Sequence, residues 1–437
     1  IYNRGWQYND GDCEMMEYRA SEDHLEEAKD MDLLYWSGHG ASNPLRLNVN
    51  ATVQSGKFET IDLVDALGVG TSNWRNTALW DKDSRLSVVI FGACNILDNT
   101  YDEAKYLVRA MKASNIRVIA GYHETSPTHP RDAKIAEYFF DNPENGGVQG
   151  GESIRSSWQT ANEEYDPNNN WAVLCYKSNS NQYYRIPGFP GKTYSAPDDD
   201  ASVYRFWNQY TSPTGGQVIP TNASIEPLPL ELTRVSSDNT IQASAFSSDQ
   251  PLLREEATVS VARELNDTGA VELQDEVQRA LADDFALKAF SIADMTDRAI
   301  ISTSDVMCEE IDEETGTVPG SETLLGKTYC YSNQYNGVRI VDNFAKVGTD
   351  ADGVYFAINK WCEVTPVEAN SVSEVQTSSI DLNTALQQNN FSTSEVERAE
   401  LVYIPITDST FRLAYEVELY EGVYYLDYQT GELAFPC

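Results

Sequence analysis

A chain of 437 residues is too long for one ordinary hydrophobic core, so two or three domains are expected. Its net charge of −37 is unevenly spread: residues 1–215 carry 30 acidic and 19 basic side chains, and residues 216–437 carry 38 and 12. Such a field repels phosphate, which argues against nucleic acid or an anionic membrane surface as partner and favours a basic one. No apolar run is long enough for a transmembrane helix, and no signal peptide is present. A start at Ile1 without Met reads as a processed product or a trimmed chain.

Residues 1–27 hold no complete strand–helix unit. Asp32 to Gly40, DLLYWSGHG, is a short apolar run ending on small residues, with His39 between Gly38 and Gly40. After a polar excursion, Thr60 to Leu67 (TIDLVDAL) predicts a short helix, and Trp74 and Trp80 lie in the connection that follows. Leu86 to Asn95, LSVVIFGACN, predicts a strand buried on both faces that stops on Gly92-Ala93-Cys94. Ala104, Leu107, Val108 and Met111 then recur at helical spacing, and Ile116 to Gly121 is the next strand. This strand–helix–strand alternation predicts a parallel sheet. Asp132 to Phe140 and Glu152 to Asn162 are expected helices, and Trp171 to Tyr176 a last short strand. There is no G-x-G-x-x-G or Walker pattern, so no nucleotide cofactor is expected.

From Ser178 to about Gly216 the chain is rich in Asn, Ser, Pro, Gly and Tyr and reads as a surface segment. Its acidic triplet, Asp198 to Asp200, lacks the spacing and glycine turn of a calcium loop. Leu253 to Leu265 predicts a helix with Ala257, Val261 and Leu265 on one face, and Val271 to Leu287 a second helical stretch. Lys327 to Phe344 reads as a hairpin around Tyr335-Asn336-Gly337-Val338. Asp350-Ala351-Asp352-Gly353 starts another turn, into Val354 to Val364; it lacks the later ligands of a calcium loop, so a plain turn is expected. The expected boundaries are 1–177, a polar linker at 178–249, a module at 250–370 and a last one at 371–437.

The chemistry concentrates on His39 and Cys94. Buried parallel strands present side chains at their carboxyl ends, above the sheet. His at one strand end and Cys at its neighbour's would form a dyad, because imidazole draws a thiol toward thiolate. The N–H groups of Gly40 and Cys94 are the natural oxyanion donors. Taken singly, each residue has a plainer reading: a small buried hydrophobe for Cys94 and a turn residue for His39. His24 and His129 read as loop histidines. No metal-ligand pattern is present.

The paired motifs, a strand ending in Gly38-His39-Gly40 and a strand ending in Ala93-Cys94, resemble the caspase-like cysteine peptidases of clan CD. The resemblance covers roughly the first half of the chain. It implies an α/β caspase-like sheet with flanking helices, His39 and Cys94 as catalytic residues, and a peptide or protein substrate. It further implies that the strand after the Cys strand lines the specificity pocket, so Tyr122, His123 and Glu124 become substrate-binding candidates, with Glu124 facing a basic side chain. A caspase-like sheet normally has a strand and helix before the His strand; here that element is expected to have been cleaved away or to come from a separate chain.

In the second half, Gln334 to Val338 and Asp350 to Gly353 resemble the propeptide domain of thermolysin-like metallopeptidases. Phe411 to Phe435, with Asp427, Thr430, Gly431 and Glu432, resembles the PepSY module of those propeptides. The resemblance implies α+β modules with antiparallel sheets acting as chaperone or inhibitor. No HExxH zinc motif accompanies them. The acidic half is therefore expected to contact and restrain the N-terminal site, with cleavage at Arg185 or Lys192 releasing it.

Seven cysteines fit three disulfides plus a free nucleophile, and fit seven buried thiols nearly as well. The expected pairing joins Cys308, Cys330, Cys362 and Cys437 among themselves and Cys13 with Cys175, leaving Cys94 free. The location expected is outside the cell. Two other readings stay open: a degenerate caspase-like binding or scaffold protein of the cell surface, and a cysteine amidase acting on a non-protein amide.

Overall fold

The structure is a computed structural model that describes residues 32–37, 39–40, 44–47, 59–62, 85–98, 104–127, 131–140, 147–150, 152–165, 170–176, 184–185, 201–211, 228–236, 240–246, 252–255, 258–267, 272–290, 299–367, 380–419 and 422–434. Cys13, His24, Gly38, Trp74, Trp80, His129, Lys192, the Asp198–Asp200 triplet and Cys437 lie outside the described residues. Most of what is described is mixed β-sheet with few helices. The chain forms two compact units that interleave along it: residues 1–126, 170–207 and 308–322 make the first, and residues 127–169, 208–307 and 323–437 the second.

In the first unit, β1 (Leu33–Ser37) carries the chain toward β2 (His39–Gly40), β3 (Pro44–Leu47) and β4 (Glu59–Asp62), which form a small antiparallel sheet. β4 replaces the start of the helix expected over Thr60 to Leu67: Thr60, Ile61 and Asp62 pair with Arg46, Leu45 and Pro44, and residues 63–67 lie outside the described residues. β5 (Val88–Gly92) lies between β1 and, beyond helix α1 (Ala104–Ala113), β6 (Val118–Tyr122), parallel to both. Val88, Val89, Ile90 and Phe91 are buried, as a continuous β-branched and aromatic run requires of an inner strand. Parallel pairing stops there, because β7 (Trp171–Tyr176) runs antiparallel to β6, and residues 203–207 of β8 (Val203–Thr211), the part of that strand in the first unit, run antiparallel to β7. β8 also corrects the polar linker expected over 178–249. Val203, Arg205, Phe206 and Trp207 are buried, so its aromatic content marked a core strand and not a surface segment.

The second unit opens with helices α2 (Arg131–Phe139), α3 (Gly147–Gly150) and α4 (Ile154–Tyr165). β9 (Glu231–Ser236), β10 (Arg254–Glu255), β11 (Val259–Val261) and helix α5 (Asp275–Ala289) follow. Of β12 (Ile300–Asp312), the residues from 308 onward belong with β13 (Gly316–Thr317) to the first unit. The rest is antiparallel: β14 (Thr323–Tyr335), β15 (Val338–Asp350), β16 (Gly353–Asn359) and β17 (Glu363–Pro366), then helix α6 (Leu382–Gln388), β18 (Val396–Thr407), β19 (Thr410–Leu419), β20 (Gly422–Asp427) and β21 (Leu433–Ala434). β15 also pairs in parallel with β18, through Arg339 and Ile340 against Val402 and Tyr403.

The helix expected over Leu253 to Leu265 is two short strands instead. Val259, Ser260 and Val261 pair with Ile358, Ala357 and Phe356, and that ladder decides between the two periods the stretch matches. Helix α4 is unusual in being buried along nearly its whole length despite its polar sequence. Each of its charges meets a partner in the same unit. Glu163 pairs with Lys346, Glu164 with Lys360 at 3.0 Å, Gln159 donates to the Tyr355 hydroxyl at 2.7 Å, and Arg155 donates to the Leu265 carbonyl.

The turns follow their sequence. Asn336 and Gly337 take φ of 48° and 82° between β14 and β15, as a two-residue hairpin demands. At the next turn the buried Asp350 carboxylate receives a two-pronged Arg263 guanidinium and the N–H groups of Asn266 and Asp352. A guanidinium thus occupies the carboxylate. Among the described residues, no cluster of His, Cys, Asp and Glu could hold a metal ion.

No disulfide joins Cys94, Cys175, Cys308, Cys330 and Cys362 to one another. This corrects the expected pairing of Cys308, Cys330 and Cys362 among themselves, whereas Cys13, the expected partner of Cys175, and Cys437 lie outside the described residues. Cys362 packs among Leu232, Ile340, Tyr403, Phe411 and Leu413, and Cys330 sits on β14 beside Ser332. Both serve as small hydrophobes, and burial pushes both thiols up from their ordinary value.

Across β15, β18 and β19, Arg339 and Arg398 bracket the buried Glu416 at 2.8 and 3.0 Å. Burial pushes the Glu416 carboxyl up, but the two guanidinium groups outweigh it and hold the group at about 2 instead of 4.5. A carboxylate depressed in the folded state contributes stability above its unfolded value, and that stability drains away as pH falls toward the folded one. Between about pH 4.5 and 2 the second unit is expected to lose roughly 3 kcal/mol from this group. Acid titration of Glu416→Gln beside the parent checks it; parallel loss of stability in both would show that Glu416 is not the source.

Candidate active site

The β1–β5 register places Ser37 opposite Gly92, the last residues of two neighbouring parallel strands. His39 and Cys94 each lie two positions beyond that pair. The backbone of His39 and Gly40 continues into β2, pairing with Arg46 and Leu45; the side chain of His39 is outside what the structure describes.

After Gly92 the chain breaks into a turn, and Asn95 takes a left-handed φ of 57°, uncommon for a residue with a side chain. Three bonds from the end of β6 and the chain just after it hold this turn. The Asn95 N–H donates to the Glu124 carbonyl at 2.8 Å, the Leu97 N–H to the Tyr122 carbonyl at 3.0 Å, and the Ser126 N–H to Cys94 Sγ at 3.2 Å. Ile96 and Leu97 point into the core, while Cys94 is half-exposed. The sulfur thus sits at the edge of solvent and accepts from a backbone amide. The Ser126 hydroxyl lies 3.2 Å from the same sulfur.

Residues 122–124 adjoin the Cys94 turn through these backbone bonds, and they divide in exposure. Tyr122 is 2% exposed and belongs to the core, so it has no surface to offer a substrate. His123 is half-buried, its N–H bonded to the Asn170 carbonyl, and Glu124 is exposed. Ser126 was not singled out from the sequence. The available signal was its place just past a strand end already read as adjoining the Cys strand.

No family model matches the chain, and no curated protein matches it. Among solved structures, a Bacillus megaterium YpeB C-terminal domain aligns over 37% of this chain and 96% of its own, with 11% identity and a TM-score of 0.19, a likeness too slight to bear on fold or function.

Proposed function

We propose that the protein is a cysteine hydrolase of peptide bonds, caspase-like in plan, with Cys94 as nucleophile and His39 as base. The observation that carries this reading is the in-step ending of β1 and β5, with His39 and Cys94 equally far past the last paired residues. Cys94 Sγ attacks the amide carbon as thiolate, the Cys94 and Gly40 N–H groups receiving the oxyanion. The C–N bond then breaks as His39 protonates the departing amine, leaving a thioester. Water hydrolyses that thioester, giving its proton to His39 and releasing the acid. Glu124, exposed at the end of the loop that holds the Cys94 turn, is the group proposed to favour a basic side chain in the substrate. An extracellular location and a restraint in cis by the acidic second half belong to the same proposal, on composition and motif alone.

Cleavage of a peptide library by the full chain is expected to vanish in Cys94→Ala and to fall roughly 10²–10⁴-fold in His39→Ala. Iodoacetamide labelling of Cys94 should slow in His39→Ala as well. Labelling at the parent rate, with no peptide cleaved, would sink the peptidase and favour a binding protein. Turnover of small amides without peptide cleavage would redirect the proposal to an amidase.

A further inference from the structure

The Cys94 turn is held on one side by the loop after β6. Its other anchor comes from far along the chain. The Leu97 carbonyl, which closes the turn, accepts from Arg205 Nη1 at 3.1 Å. Arg205 is 5% exposed, its guanidinium lying 4.3 Å over the Trp207 ring, and it pairs at 2.7 Å with the Glu309 carboxylate. A buried guanidinium without a counter-charge is costly, so Arg205 can serve the turn only while Glu309 neutralises it.

Glu309 is itself fixed by its segment. Thr317 bonds its carboxylate, and the neighbouring Glu310 accepts from the hydroxyls of Ser202 and Tyr204 at 2.6 and 3.3 Å. The same segment reaches α1, the helix that the chain enters after the turn. Arg109 Nε donates to the Glu313 carbonyl at 2.6 Å, and Lys112 pairs with the Glu313 carboxylate at 3.5 Å. Residues 308–322 therefore grip the nucleophile turn at Leu97, through Arg205, and the helix after it, through Glu313. All these residues belong to the first unit.

We propose that Arg205 and Glu309 are positioning residues for Cys94, and that residues 308–322 are a required part of its site, supplied only after the chain has passed through the second unit. This rests on reading Cys94 as the nucleophile. An anchored Leu97 carbonyl keeps Asn95 in its left-handed conformation and keeps Cys94 Sγ under the Ser126 N–H. Released, the turn relaxes and the sulfur loses that donor.

The experiment compares the full chain with Arg205→Met, Arg205→Lys and Glu309→Gln. It reads amide exchange at residues 95–98, the pH profile of Cys94 alkylation, and the overall unfolding midpoint. Arg205→Met is expected to speed exchange at Asn95 and Leu97 at least tenfold over the change seen in β7, and to move the alkylation profile to higher pH. Arg205→Lys, which keeps a charge beside Glu309, should restore much of both. Should Arg205→Met fail to fold, Glu309→Gln, which keeps the shape of the pair and removes only the counter-charge, carries the same two readings. Exchange rising uniformly through the unit, with the alkylation profile unmoved, would overturn the proposal and leave the pair a purely structural one. His39→Ala separates it from the peptidase reading, because that variant should slow alkylation without loosening residues 95–98. If His39 has no effect while Arg205→Met still loosens the turn, the peptidase reading fails and the positioning holds.

Discussion

Lys346→Met is expected to destabilise the second unit by about 3–5 kcal/mol, a large part of the stability of an ordinary domain. The Lys346 ammonium and the Glu163 carboxylate are almost fully buried and 3.1 Å apart, and Lys346 also donates to the Glu163 backbone carbonyl. Removing the ammonium strands a carboxylate among Phe344, Tyr355 and the polar face of α4, where water cannot replace the lost partner. The penalty should therefore come from the orphaned charge and not from lost attraction. Adding Glu163→Gln to Lys346→Met removes that charge while keeping the shape, and should recover more than half of the loss. Urea unfolding of the single and double variants, with amide exchange in β15 and β16, reads the result. A double variant no more stable than Lys346→Met would show that the two groups are not energetically coupled.

Gly348→Ala is expected to cost about 1–3 kcal/mol through overpacking. Gly348 lies on β15 opposite Phe356 of β16, whose ring folds over the position where a side chain would stand. A Cβ built there meets the Phe356 Cε1 and Cδ1 atoms at 2.0 and 2.2 Å and the Tyr355 Cε1 at 3.0 Å. The pairing is an aromatic ring covering a strand glycine, and the β-ladder shifts register immediately after it. Either the ring leaves its rotamer or the two strands part. Phe356→Leu should cost less in the Gly348→Ala background than in the parent, with a coupling of about 1–3 kcal/mol in the double-mutant cycle. Additive losses would mean that the ring moves aside freely.

How far the sequence disclosed this structure depends on where each residue's partners sit. Val88 to Phe91 announced an inner strand because four successive apolar side chains need cover on both faces. Asn336-Gly337 announced a hairpin because both residues take positive φ. Those signals are local. Val259 to Val261 was misread because a helical and a strand period both fit so short a run, and the deciding partners, Phe356 to Ile358, lie about a hundred residues on. The burial of α4 left no trace in its own sequence, since Lys346, Lys360 and Tyr355 are supplied from afar. At the candidate site, the Cys94 strand end and its neighbour in β1 could be read directly, whereas Arg205, Glu309 and Ser126 could not. A buried ion pair split between two distant segments looks, in sequence, like two ordinary surface charges.

The interleaving of the two units also has a consequence for synthesis. Glu309 follows Arg205 by 104 residues, so at roughly 5–20 residues per second it leaves the ribosome about 5–20 s after its partner. Throughout that interval β1, β5, β6, β7 and Arg205 already exist, but the counter-charge that lets the guanidinium enter the core does not. Nascent chains stalled before residue 309 should therefore hold a Cys94 turn that is open to solvent and oxidants, and should depend on chaperones for protection. The nucleophile would gain its final setting only late in translation, after most of the second unit's intervening segment has been made.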